Sequence, residues 1–234
     1  MDIRIVRYSD PLRINLARNA AIYLGKEDRD NIRRPLNILR MGHTLEIFRG
    51  ESVEFSFTGV SKEVYDHLTT YTTRNMRVTC GNRAKLSDGW VMPTDKMKNS
   101  SFVGTVIQEV HKWYRELAHK ESPQVARSAM PCGATMNEFV IQFNFATLMQ
   151  AVFPQRIWTH GAQGNTKIVV QRMYELLLEH DTELWEVARD CFGEGANEWM
   201  QAYRKLKKTD RGQLLIDEIV GEFGKTKNMW EGRR

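Results

Sequence analysis

A chain of 234 residues with 41% hydrophobic and 27% charged content has the make-up of an ordinary soluble globular protein, with length for one large or two small domains. Its net charge of +5 suits an anionic ligand, but the basic residues are scattered rather than interleaved with aromatics, which argues against a nucleic-acid binder. No uncharged apolar run approaches the roughly 18 residues that span a bilayer, and MDIRIVRYSD lacks the apolar core of a signal peptide. A single cytoplasmic domain over residues 1–234, with no membrane association, is the expectation. Cys80, Cys132 and Cys191 are widely spaced and form no CxxC pair, which indicates neither a disulfide framework nor a zinc site.

In chain order, Ile3–Val6 reads as a short strand, and Ser9-Asp10-Pro11 as a helix cap with proline in the first turn of a helix over Leu12–Leu24 that ends at Gly25. Lys26–Asn31 is a charged loop. Arg34-Pro35 opens a second helical turn leading to Met41-Gly42-His43, where Gly42 lets the chain bend and sets His43 and Thr44 at an element boundary. Val53, Phe55 and Phe57 alternate with Glu54, Ser56 and Thr58, the pattern of a half-buried strand.

Ser61 is the expected N-cap of a helix that frays into an extended segment at the β-branched run Thr69-Thr70-Tyr71-Thr72-Thr73. Leu86–Ser101 reads as a loop. Phe102, Val106, Val110, Trp113, Tyr114 and Leu117 recur at helical spacing, the signature of an amphipathic helix that Glu121-Ser122-Pro123 ends. Lys167–Glu179 is a further long helix, and the remainder reads as helical packing with a break at Gly193 and Gly195; the tail with Asn228-Met229-Trp230 is expected to be solvated.

Between these lies Ala126–Gln163, which sets Arg127 and Arg156 at the two ends of an apolar segment carrying Asn144, Gln150, His160 and Gln163. Fixed cations and amides within a burying segment point to a pocket for an anionic, planar ligand; a core helix with solvated ends is the alternative. The chain contains no GxGxxG, GxxxxGK[ST], HExxH or GxSxG, so the common dinucleotide, P-loop, zinc-protease and hydrolase signatures are missing. His67 and His111, each on an expected helix without a partner at metal spacing, read as satisfied structural residues.

The order of several short pieces resembles the flavin-dependent thymidylate synthase family. They are Gly42-His43, the strand from Glu51, Gly59-Val-Ser-Lys, a basic segment, Ala126-Arg127 with Pro131, Asn144 with Leu148, Arg156 and Ala162-Gln163, spread over roughly residues 1–180. The resemblance implies an α/β (α+β) fold with a mixed sheet flanked by long helices. It implies a homotetramer holding FAD between subunits and converting dUMP to dTMP, with methylenetetrahydrofolate as one-carbon donor and NADPH as reductant.

By position, Arg127 resembles the arginine on the nucleotide phosphate, and Arg156 the one beside the pyrimidine, where it would act catalytically by stabilising charge on the base. Arg83 and Arg74 complete the implied nucleotide contacts. His43, Thr44, Asn144, Gln150, His160 and Arg77 are the implied cofactor contacts. The chain departs from the family where Thr70-Tyr71-Thr72 stands in place of Arg-His-Arg, with Arg74 and Arg77 as possible stand-ins, and where Ala84 follows Arg83 in place of tyrosine. Gly81, Thr79, Ala146, Gln150, Asn165 and Lys167 also occupy positions where the family carries other polar or charged residues. These differences leave UMP, dCMP or hydroxymethylation open as variants of the reaction. Two readings stand against it: a catalytically inactive family relic that binds nucleotide or nucleic acid, and a chain whose arginines are only surface charges.

Overall fold

The structure, a computed structural model, describes residues 1–79, 89–92, 101–158, 164–193, 202, 205–206 and 208–223. Period-2 apolar patterning makes four strands: β1 (Asp2–Tyr8), β2 (Ser52–Thr58), β3 (Met76–Thr79) and β4 (Phe139–Asn144). They form one sheet in the order β1-β2-β4-β3, and all three pairings are antiparallel, where a mixed sheet was expected. β2 was expected to be half-buried. Phe55 and Phe57 are buried in the core on one face, and on the other Ser52 and Ser56 are also buried, the Ser56 hydroxyl donating to the Glu138 carboxylate at 2.9 Å, with Glu54 half-buried.

α1 (Ile14–Tyr23) starts two residues later than its sequence suggested. Asp10 does cap it, accepting from the N–H groups of Ile14 at 2.8 Å and Leu16 at 2.9 Å, but Pro11 falls in the turn before the helix, not in its first turn. That turn closes at Arg13, which adopts φ 59°. α2 (Arg34–Met41) ends at Gly42 with φ 65°, the left-handed conformation that a helix C-terminus favours and that glycine adopts without strain. After the single turn α3 (Glu46–Arg49), α4 (Lys62–Thr69) begins at Ser61. Ser61 stands at the cap position without capping. The carbonyls of Ala134 and Cys132 instead accept from the N–H groups of Lys62 and Glu63, at 2.9 and 3.0 Å.

α5 (Ser101–Lys120) is the amphipathic helix expected, yet only Tyr114 on it is buried; Phe102 and Trp113 are 76% and 65% exposed, and Val106 and Val110 are also exposed. The end of the stripe at Tyr114 and Leu117 packs with Trp90, Ala126 and Ala134, whereas the part from Phe102 to Trp113 has no cover among the described residues. Ser122 caps the short α6 (Pro123–Ala126) through the N–H of Val125. α7 (Phe145–Thr147) leads directly off β4, α8 (Gly164–Phe192) packs across the sheet, and α9 (Asp210–Phe223) follows. His67 is satisfied, with Nδ1 2.6 Å from the Thr166 hydroxyl. His111 is not: its buried Nε2 has no hydrogen-bond partner among the described residues. Cys132 and Cys191 form no disulfide with each other, and Cys80, the 93–100 part of the expected loop and the tail beyond 223 lie outside the described residues.

The core joins Phe55, Phe57, Phe139 and Phe143 of the sheet to Phe48, Phe145, Phe153 and Trp185 of the helices. Each such side chain stabilises by about 1.5–3 kcal/mol on full burial. α8 is broken at Asp181 (φ −153°, ψ 80°), whose carboxylate caps the second half through the N–H of Leu184 at 3.1 Å and pairs with the Nε of Arg13 at 3.0 Å. Arg13 also donates to Glu183 at 2.7 Å and to the Ile32 carbonyl at 3.3 Å, fastening the start of α1 to the kink.

Burial holds the Asp181 carboxyl above the usual carboxylate range, against the opposing pull of the Leu184 N–H and of Arg13. Arg13→Met leaves that carboxylate charged, buried and unpaired, and should destabilise the fold by about 3–5 kcal/mol near neutral pH. Because the folded carboxyl then binds a proton at higher pH than the unfolded one, the penalty should shrink as pH falls through the raised value. Urea unfolding of wild type and variant across pH measures both effects.

Candidate active site

The segment 126–163 is not one core helix. Residues 139–144 form β4, whose Phe139, Ile141 and Phe143 are buried, and the chain turns into helix at Asn144. The side-chain oxygen of Asn144 accepts from the N–H of Thr147 at 2.8 Å, capping α7, while its Nδ2 donates to the Thr73 carbonyl at 3.1 Å and to Oδ1 of Asn75 at 3.2 Å. Thr147 adds bonds from its hydroxyl to the carbonyl and hydroxyl of Thr73. Beyond α7 the chain winds into two wide π-turns, Leu148–Val152 and Pro154–Trp158, a rare conformation found often at functional sites.

The second π-turn carries Arg156. Its Nε donates to the hydroxyl of Tyr71 at 2.9 Å, and its guanidinium carbon lies 5.8 Å from the centre of the Tyr71 ring. The Tyr71 hydroxyl in turn donates to Oε1 of Gln155 at 3.2 Å. Burial pushes the Tyr71 phenol above its ordinary range, with the hydrogen bond from Arg156 pulling the other way, so the ring is a neutral partner for the cation. Arg74 closes the same turn from beneath, its Nη1 donating to the carbonyls of Thr69 at 2.8 Å and Tyr71 at 2.7 Å.

The fold thus gathers Asn144, Arg74 and Arg156 around the 69–75 turn. Arg74 and Asn144 spend hydrogen bonds there on backbone, so their first role is to shape the turn. The other candidates are spread over the surface. Arg127 is exposed where α6 ends, in a stretch whose continuation through Cys132 and Ala134 is tied to the N-terminal end of α4, whereas Tyr71 and Arg156 lie beyond its C-terminal end. His43 is exposed beyond α2, its ring 6.5 Å from that of Tyr23, and the Thr44 hydroxyl accepts from the N–H of Glu46. Gln150 is exposed on the first π-turn, and Arg77 is exposed on β3 over the Tyr65 ring at 5.7 Å. Arg83, His160 and Ala162-Gln163 lie outside the described residues.

Tyr71, Gln155 and Thr73 were not singled out from sequence as site residues. The mark they carry is a buried tyrosine amid exposed threonines at the end of a helix, at the point where three basic positions were expected. A cavity of about 340 Å³ lies elsewhere, between the start of α4, residues 90–92 and the start of α8, lined by Val60, Ser61, Val64, Trp90 and Asn165 among others. Among the described residues no charged side chain lines it, and none of the described candidates is on its wall. Among the described residues no cluster of three or more His, Cys, Asp or Glu could hold a metal ion, and no helix is long and apolar enough to cross a membrane.

The family model described as "thymidylate synthase complementing protein" matches residues 6–181, three quarters of the chain and all of the candidate residues. The chain belongs to this family. Solved structures similar to this family member include a UMP/dUMP methylase, PolB, from Streptomyces cacaoi, bound with 5-bromo-dUMP, at 15% identity and TM-score 0.66, covering 82% of this chain and 95% of that one. Thymidylate synthase X from Helicobacter pylori, with FAD and dUMP, is similar at 15% identity and TM-score 0.64, covering 83% of this chain and 100% of that one. At these identities the likeness shows a shared fold. No curated protein sequence matches the chain.

Asn144→Ala removes the α7 cap and the tie to Thr73 together. It should lower stability by about 1–2 kcal/mol, whereas Gln150→Ala on the exposed face of the next turn should stay within about 0.5 kcal/mol of wild type, both read by urea unfolding.

Proposed function

We propose that the chain is a flavin-dependent methyltransferase of the thymidylate synthase type, acting at C5 of a pyrimidine nucleoside monophosphate. In this reading dUMP becomes dTMP, with methylenetetrahydrofolate as one-carbon donor and NADPH as reductant. The observation that carries it is Arg156, a guanidinium anchored through Nε on a buried neutral tyrosine within the region the family model matches. Held this way, Arg156 presents a planar donor group that stabilises negative charge gathering on the base as C5 becomes nucleophilic. Arg127, exposed at the end of a short helix on the other side of α4 from Arg156, holds the nucleotide phosphate across a subunit boundary in this reading, and Arg83 and Arg74 support the nucleotide, Arg74 through the turn it braces.

FAD is the cofactor of this reading. His43, Gln150 and Arg77, exposed on separate elements, would contact it together with Thr44 and Asn144, and His160 belongs to this set by family position. When bound, the flavin supplies the redox chemistry of the transfer, and the protein supplies binding, orientation and charge. UMP is the second substrate to consider, because a UMP/dUMP methylase is among the similar structures.

The assembly is a homotetramer in this reading. What supports it is the stripe of Phe102, Val106, Val110 and Trp113 along α5, an apolar helix face without cover in its own chain among the described residues.

Purified protein supplied with FAD should show bound flavin absorbance that changes on adding dUMP, and should release tritium from 5-tritiated dUMP in the presence of the folate and NADPH. Arg156→Ala should cut that release by roughly a hundredfold or more. Protein that binds no flavin and releases no tritium with dUMP, UMP or dCMP overturns the reading. Light scattering should give a mass four times that of the chain, and Trp113→Glu should shift it to smaller species.

A further inference from the structure

We infer that Tyr71 is the positioning residue for Arg156, a neutral phenolic clamp that fixes the guanidinium by Nε and leaves its two Nη groups to meet the nucleotide. The inference rests on the proposed function and adds to it the group that sets its central cation. The Tyr71 hydroxyl gives its proton to Gln155 Oε1 at 3.2 Å, so the lone pair it offers at 2.9 Å is the one Arg156 Nε uses, and the direction of both bonds is set.

The ring itself cannot swing. It is 7% exposed, lies edge-on to Phe143 with centroids 6.4 Å apart, and its backbone carbonyl is held by the side chain of Arg74 at 2.7 Å. Among the described residues no acceptor meets the Arg156 Nη groups. A bond to Nε is the one that steers an arginine while sparing the outer edge of its fork, which is the edge that pairs bidentately with a ligand.

The chemistry of the clamp also bears on which ligand fits. Tyr71 stands in the stretch where the family resemblance places cations, and a buried phenol that stays neutral adds no charge of its own. Without the phenol, the long side chain of Arg156 regains its rotamer freedom, and ordering it falls to the ligand on binding.

The test is a double-mutant cycle on dUMP affinity, measured by calorimetry on the full chain with FAD present, for wild type, Tyr71→Phe, Arg156→Ala and the double variant. Tyr71→Phe keeps the ring and should weaken dUMP binding about tenfold, the size expected for one lost hydrogen bond to a charged group. In the Arg156→Ala background the same change should cost nothing further. Gln155→Leu, on an exposed side chain, should weaken binding severalfold in the wild-type background alone.

Unchanged dUMP affinity in Tyr71→Phe and Gln155→Leu, or equal losses with and without Arg156, overturns the positioning role while leaving the proposed function standing. Wild-type protein that binds none of dUMP, UMP and dCMP overturns the proposed function and the positioning role with it.

Discussion

One amide holds the centre of this molecule together. Asn144 ends β4, caps α7 and ties down the 73–75 segment, so a single side chain fixes where the sheet stops, where the helix starts and how the 69–75 turn lies against both. An asparagine can do this because its carbonyl and its NH₂ face opposite needs, an orphan N–H on one side and an orphan carbonyl on the other. Everything that surrounds Arg156 inherits its placement from that junction. The π-turns that follow α7 carry Arg156 back over Tyr71, and Arg74 braces the turn from the other side.

The arrangement separates stability from chemistry by burial. Arg13 and Asp181, both well buried, pair with each other and join α1 to the kink of α8. Arg156, half-buried, and Arg127, exposed, sit nearer the surface. Arg74 lies between these roles: its guanidinium completes backbone carbonyls at a helix end, and through them it determines how Tyr71 stands. The exposed apolar stripe of α5 belongs to neither group. It is apolar surface that no described residue of the chain covers.

Much was legible in the residues themselves. Local periodicity and capping point to the strand at 53–58, to helices over 12–24, from 34, over 102–117 and over 167–179, and to the glycine bend at 42, and the structure has helices there at 14–23, 34–41, 101–120 and 164–192. The family could be read from a string of short motifs, and the match over residues 6–181 bears it out. Other details escaped local reasoning. Ser61 looked like a side-chain cap, but carbonyls from residues 132 and 134, more than seventy positions on, took the helix N–H groups. Residues 139–144 alternate in the manner of a strand, yet lay hidden within a longer apolar segment flanked by arginines.

The sequence by itself determined the class of fold, the family and the set of basic and amide residues from which a site can be drawn, because periodicity, capping and motif order are properties of neighbouring residues. Only the tertiary structure decided which of those residues meet. Arg156 and Tyr71 are 85 positions apart, Asn144 and Thr73 are 71, and hydrogen bonds between them exist because β4 pairs with β3 and the π-turns fold back over the end of α4. Pairing of that range is set by the packing of the whole core, which no local stretch of the chain encodes.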